Sequence, residues 1–249
     1  MTDLHRRVRL LTISNIASWG LVGLFVLVGL SSEDHLRIKE IDAERINIIG
    51  THGEPVMVLA NRHRIPGPSM NGVKYSATLA DGRDQQSGII FFNEQGDEVG
   101  GLIYNGTLKE DSSYWAGGHF SFDRWKQNQV VAMQYLDNGR TRRAGLRVWD
   151  RPTDVPMSDF LDAGQALMES QDPSVRDSLR SVIRRMRERG DFGVERLFVG
   201  SQDEVAQIQL RGTDGKMRVR LYVDSTNVAR LEFMNADGEV TSSFPDGDQ

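Results

Sequence analysis

The chain has 249 residues, with 30 Lys and Arg against 35 Asp and Glu, and its net charge of -5 argues against a nucleic-acid module. A hydrophobic content of 39% and a charged content of 26% suit a globular body with a packed core. The absence of cysteine excludes a disulfide framework, thiolate metal sites and a cysteine nucleophile.

The first element in chain order is apolar. Residues 10–30, LLTISNIASWGLVGLFVLVGL, form a run of 21 without a formal charge. As a helix it spans roughly 30 Å, the thickness of a bilayer hydrocarbon core. A cleaved secretory signal has a shorter apolar region and a clear small-x-small site, and only Gly29-Leu30-Ser31 resembles one. The expectation is an uncleaved transmembrane anchor over 10–30, preceded by a cytoplasmic N-terminus over 1–9. Arg6, Arg7 and Arg9 cluster before the span, while Arg37, Lys39 and Arg45 follow it at greater distance. That asymmetry places the N-terminus in the cytoplasm and the bulk of the chain outside. Inside the span, Ser14, Asn15 and Ser18 have two readings. They are either polar residues tolerated near the interface or a small-residue face that contacts another helix or a membrane partner.

Residues 31–44 read as a polar juxtamembrane spacer. From 45 to 157 one pattern returns: alternating apolar residues, a turn ending in glycine, then a second apolar run. The turn glycines are Gly53, Gly96, Gly139, Gly215 and Gly238, the last two belonging to a C-terminal β meander over 191–243. Hairpin turns need positions with φ > 0, which glycine, asparagine and aspartate supply at low cost. The early strands, such as Ile89-Ile90-Phe91-Phe92, are apolar on both faces and are expected between two layers. In the meander, Met217, Val219, Leu221 and Val223 are expected to face a core, with Arg218, Arg220 and Tyr222 in water. Residues 244–249 read as a polar tail.

A helical insertion over 158–190 interrupts the strands. Ser158 is the expected N-cap of its first helix, and Asp172 with Pro173 opens the second. Val175, Leu179, Val182, Ile183 and Met186 make one apolar stripe, and Arg176, Arg180, Arg184 and Arg187 lie among the arginines on the rest. Those four are either a solvated face or a contact for anionic lipid or an acidic partner.

Candidate chemistry is thin. The stretch GDEVGG, residues 96–101, has neither the spacing nor the lysine of a phosphate loop, and Asp97 and Glu98 would repel a phosphate. His119, Ser121 and Asp123 alternate on one strand face, so they point in parallel and do not converge as a hydrolytic triad does. No catalytic residue, metal ligand or cofactor is expected.

The segments AERINIIGTHGEPVMVLANRHRIPG, GIIFFNEQGDEVGGLIYNG, GHFSFDRWKQNQVVAMQYLDNG and TDGKMRVRLYV together resemble an uncharacterised bacterial family of N-terminally membrane-anchored, β-hairpin-repeat proteins. The resemblance runs nearly end to end. It implies a bacterial, membrane-anchored protein, which with the orientation read above gives an inner-membrane anchor and a periplasmic body, and it carries no activity, ligand or catalytic residue.

The expected fold class is therefore mainly β: an N-terminal transmembrane helix, then an antiparallel hairpin-repeat body with a two-helix insertion. The expected function is a non-enzymatic interaction or scaffold protein, an accessory subunit of a membrane complex. Its partners are the membrane and other membrane-protein subunits or a second copy, with no nucleic acid. The alternatives are a small-ligand or glycan-binding module using the loop NRHRIPGPSMNG with Tyr114 and Trp115, and a hydrolase using His119 or Asp123.

Overall fold

The structure is a computed structural model. It describes residues 2–30, 37–79 and 82–245, with side chains of the first helix described for 4–22. Two compact units result, Met1–Asp42 and Ala43–Gln249. The first holds helix α1, Thr2–Leu30. Ser14, Asn15 and Ser18 are exposed on it, and Ser18 Oγ donates to the Ser14 carbonyl at 2.9 Å, the local bond by which a helical hydroxyl satisfies itself. Among the described residues no helix is long and apolar enough to cross a membrane. The expected anchor over 10–30 lies partly outside them, because the side chains of 23–30 are not among those described.

The second unit is built on one antiparallel sheet of 12 strands. Its first half comprises β1 (Arg45–Ile49), β2 (Pro55–Ala60), β5 (Ser87–Phe92), β6 (Glu98–Leu108), β7 (Tyr114–Asp123) and β8 (Gln129–Asp137). A separate two-stranded hairpin, β3 (Ser69–Met70) with β4 (Val73–Lys74), lies in the long β2–β5 connection. The second half comprises β9 (Arg142–Asp150), β10 (Val194–Gln202), β11 (Val205–Arg211), β12 (Met217–Val223), β13 (Ala229–Met234) and β14 (Val240–Phe244). Strands neighbour each other in chain order throughout, so the sheet is a meander with β1 and β14 at its edges. Phe244, expected in the tail, ends the last strand.

Turn chemistry sets this topology. Gly53, Gly96, Gly139, Gly215 and Gly238 all adopt positive φ, between +76° and +89°. Four of them close the same loop, in which the residue three before the glycine accepts the glycine N–H, as Asn93 does for Gly96 at 3.0 Å. Gly139 sits in a shorter turn, closed by Asn138 N–H on the Thr141 carbonyl at 3.2 Å. The four-residue loop also occurs where the sequence has no glycine, with Ser112 and Asn227 at positive φ.

Gly100 and Gly101 have a different reason. A Cβ on Gly100 would stand 2.3 Å from the Ser121 carbonyl oxygen, and one on Gly101 2.6 Å from that of Ile89. Gly100 pairs with Phe91 on one side and Phe122 on the other, and those two rings stack at 6.4 Å across it. A register shift between Phe91 and Phe92 places a bulge beside it.

The two acids of this stretch are buried or nearly so. Asp97 is 1% exposed and accepts from Lys126 Nζ at 2.5 Å, Asn71 N–H at 2.6 Å and Asn93 Nδ2 at 3.0 Å. Burial opposes its charge, and these three bonds outweigh it, leaving the carboxyl below its ordinary range. One carboxylate thus ties the β3–β4 hairpin, the β5–β6 turn and the β7–β8 turn together.

Helices α2 (Met157–Glu169) and α3 (Pro173–Glu188) form the expected insertion. Asp172 caps α3, accepting from Ser174 N–H at 2.8 Å. Ser158 does not cap α2. The N-cap is Pro156 without a side-chain bond, and Ser158 is buried inside the first turn.

The expectation of two layers around the early strands is not met. Pairing aligns Ile46, Leu59, Ile89, Leu102, Phe120 and Met133 with Leu146, Val199, Ile208, Leu221, Leu231 and Phe244, one apolar residue on each of the 12 strands. None of these residues is buried, and Met133 is 61% exposed. The opposite face holds the core: Val58, Ile90, Ala132 and Phe198 are each at most 1% exposed. The meander also departs from the expectation, with Met217, Arg218, Val219, Arg220 and Tyr222 all half-buried. Leu221 and Val223 are exposed, while Arg220 donates to Gln207 Oε1 at 3.0 Å and lies over the Tyr222 ring at 3.9 Å. Arginine stems and glutamine amides cover that face, so Gln207 and Gln209 are each only 7% exposed.

Two outcomes test this account by chemical denaturation. Gly215→Val should cost about 1–3 kcal/mol, because φ there is +76° and a β-branched residue is strained at positive φ. Lys126→Met should cost about 3 kcal/mol by leaving the Asp97 carboxylate buried without its counter-charge.

Candidate functional site

A cavity of about 630 Å³ lies between the covered face of β6–β9 and the segments that oppose it, the β3 loop and helices α2 and α3. Strand alternation aims His119 and Asp123 of β7, Gln134 of β8 and Arg147 of β9 to this side. Met157, Phe160 and Leu161 of α2 supply an apolar wall opposite. Trp115 and the Pro68–Met70 stretch also line it, so part of the expected small-ligand loop meets Trp115 here, whereas Tyr114 stands on the opposite face of β7 and donates to Asp137 Oδ1 at 2.9 Å.

Charge inside the cavity is mostly paired. Arg83, only 6% exposed, grips Glu98 through two bonds of 2.6 and 2.5 Å. Arg147 bonds both Glu195 and Gln134, the latter at 2.8 Å, and Arg143 reaches Glu195 at 3.3 Å. Two groups lack such a partner: Asp123 Oδ1 and Arg83 Nε are both out of contact with solvent and have no hydrogen bond. Burial, then the Glu98 carboxylate, pushes the Asp123 carboxyl up to about 8 against the pull of Arg83 and Arg151. Burial, then Arg83, lowers His119, so its imidazole is neutral at pH 7.

His119, Ser121 and Asp123 share the covered face of β7, as the alternation predicts, and successive members stand about 7 Å apart along the strand. That arrangement gives no nucleophile–base contact, and Ser121, which is buried, does not line the cavity. Among the described residues no group of three or more His, Asp or Glu is placed to hold a metal ion. Arg83, Glu98, Gln134, Arg147 and Glu195 were not readable as site residues, since their partners are 13 to 52 positions away along the chain.

The arginines of α3 divide by role. Arg176 donates to the carbonyls of Leu167 and Ser170 at 2.8 and 3.1 Å, capping the end of α2. Arg180 pairs with Asp177 at 2.8 Å, and Arg184 lies 3.9 Å from Glu188. Arg187 lies over the Phe192 ring at 5.9 Å and lines the cavity.

The second candidate surface is the open sheet face. Beside the apolar row just described runs another: Ile48, Met57, Phe91, Gly100, Phe122 and Val131, then Val148, Leu197, Leu210, Val219, Phe233 and Ser242. No charged residue stands in either row. Soluble monomers rarely expose an apolar patch larger than a few hundred Å². Comparison with protein-family models, with curated proteins and with solved structures finds no match to this chain.

The cavity makes a pH prediction. An unfolded aspartate titrates near 4. Between that value and about 8 the folded state holds a proton on Asp123 that the unfolded chain has released, so stability falls as pH rises. His119 acts in the opposite sense, below about 6.5. Denaturation between pH 7 and 8 should show the decline, and Asp123→Asn should flatten it.

Proposed function

We propose that this chain is a membrane-anchored, non-enzymatic interaction module that assembles with a second copy of itself through the open face of its sheet. The observation that carries the reading is the row of 12 apolar residues in register, with no charge among them. Twelve strands spaced about 4.8 Å apart, with two rows about 7 Å apart, give roughly 700–800 Å². That is the area per partner of a standard stable protein interface, about 800 Å². A second copy offers the same uncharged surface, so a two-fold pairing needs no complementary charge pattern.

The anchor rests on residues 10–30, which carry no formal charge and follow the cluster Arg6, Arg7 and Arg9. On this reading the body stands outside the cytoplasm, at a bacterial inner membrane. The same surface could seat another subunit of a membrane complex, and the experiment separates the two occupants.

The full chain in mild detergent should show a protein mass of two copies by light scattering. Leu146→Glu with Ile208→Glu, at open-face positions on either side of Val199 and each 38% exposed, should give one copy with unchanged circular dichroism. A single copy for the unaltered chain contradicts self-assembly, and co-purification with a different protein at fixed ratio assigns the face to that partner instead.

A further inference from the structure

The cavity carries a second assignment, independent of the open face. Although most of its charges are paired, it holds a surplus of positive charge. Arg143, Arg147 and Arg211 share the single carboxylate of Glu195. Arg187, exposed yet lining the cavity, stands at its rim and has no ion pair among the described residues. The two carboxyl groups of the lining do not offset this. Glu98 is held by Arg83 through both oxygens, and Asp123 keeps its proton up to about 8. Arg143 records the shortage of negative charge, since burial and then repulsion from Arg147 draw it below the ordinary arginine range.

The free hydrogen-bonding groups have the same bias. Arg147 gives two N–H groups to Glu195 and one to Gln134, and its remaining donors are unspent. Gln134 turns its Oε1 to Arg147, so its amide N–H groups are also unspent. His119, opposite Gln134 across β7 and β8, is a neutral imidazole with one N–H. Arg83 Nε and Asp123 Oδ1 are shut off from solvent, whereas Gln134 Nε2 and the His119 ring keep accessible surface on the cavity. Three adjacent strands thus present a row of donors. Facing that row, Met157, Phe160 and Leu161 of α2 make an apolar wall. A ligand that answers both sides has a negative group of acceptor oxygens and an apolar body. A carboxylate oxygen pair accepts several N–H bonds at once, and such charge-assisted bonds are the stronger kind. Inorganic phosphate would leave the apolar wall uncovered. The volume of about 630 Å³ lies within the range that holds small ligands.

We infer that the cavity between β6–β9 and the helical pair binds a small monocarboxylate with an apolar body. Gln134, Arg147 and His119 take the carboxylate, the α2 wall takes the body, and Arg187 draws the anion to the rim.

The test is calorimetric titration of the full chain at pH 7 in a non-ionic detergent. The probes are benzoate, phenylacetate, indole-3-acetate and hexanoate, each beside its own primary amide, with benzylamine and inorganic phosphate as ionic comparators. At least one carboxylate should bind, about tenfold or more tighter than its amide, and neither comparator should bind. Gln134→Glu, which puts a carboxylate of the protein beside Arg147, should abolish the binding. Arg187→Gln should weaken it about threefold, an effect that added salt removes. Arg184→Gln, on the same helix and outside the cavity, should leave it unchanged, and circular dichroism checks that all three variants fold. Binding of none of the four carboxylates overturns the assignment. So does equal binding of the amides, binding of phosphate or benzylamine in their place, unaltered affinity in Gln134→Glu or Arg187→Gln, or equal loss in Arg187→Gln and Arg184→Gln.

Discussion

Register is the constraint on which the rest depends. In a sheet the side chains alternate with period two, so a slip of one residue on any strand would move its apolar set to the other face. Short turns such as those at Gly96 and Gly215 fix register within the hairpins, while β2 meets β5 across a long connection and β9 meets β10 across the helical insertion. The outcome is that 12 apolar residues stand side by side on one face, and the other face collects glutamine, arginine and glutamate. A change in one turn length would break the row for every strand beyond it.

The two faces then solve different problems. The covered face places its apolar residues at the N-terminal end, where Val58, Ala60, Ile90 and Ile103 pack with Ile65 of the long β2–β5 connection. Toward β9–β13 it changes to a polar network, in which Glu195 meets Arg143, Arg147 and Arg211 and Gln209 donates to Gln207. This network pairs its charges within the sheet, though Arg143 Nε and Arg211 Nε are buried without a hydrogen-bond partner. The open face has no such means of satisfying itself, because apolar side chains lose their contact with water only against another surface. The account of assembly follows from that asymmetry.

Much of the architecture was legible in the sequence. The turn glycines, the two helices and the Asp172 cap all follow from local chemistry, and the structure places each of them in the expected kind of element. What local pattern could not supply was which face would be covered. Ile89-Ile90-Phe91-Phe92 reads as doubly buried, yet only Ile90 is buried. The alternation of Met217 to Val223 fixes two faces and says nothing about which one meets solvent. The cavity was half legible. Trp115 and the loop before β3 marked its location, but the pairing of Arg83 with Glu98 joins segments whose meeting depends on the whole β5–β6 hairpin. The acids of GDEVGG, read as a reason against phosphate, instead bind Lys126 and Arg83.

The cysteine-free sequence allows the central claim to be tested in native membranes. Single cysteines would be placed along the open row, one at a time, at Leu102, Met133, Leu146, Ile208 and Leu221, and at Gln134 and Gln207 on the covered face as comparators. The account predicts that mild oxidation yields a species of two copies for cysteines on the open row nearest the two-fold axis, and none for the covered-face comparators. Absence of that species from every open-row variant, or its equal appearance from both faces, would contradict it.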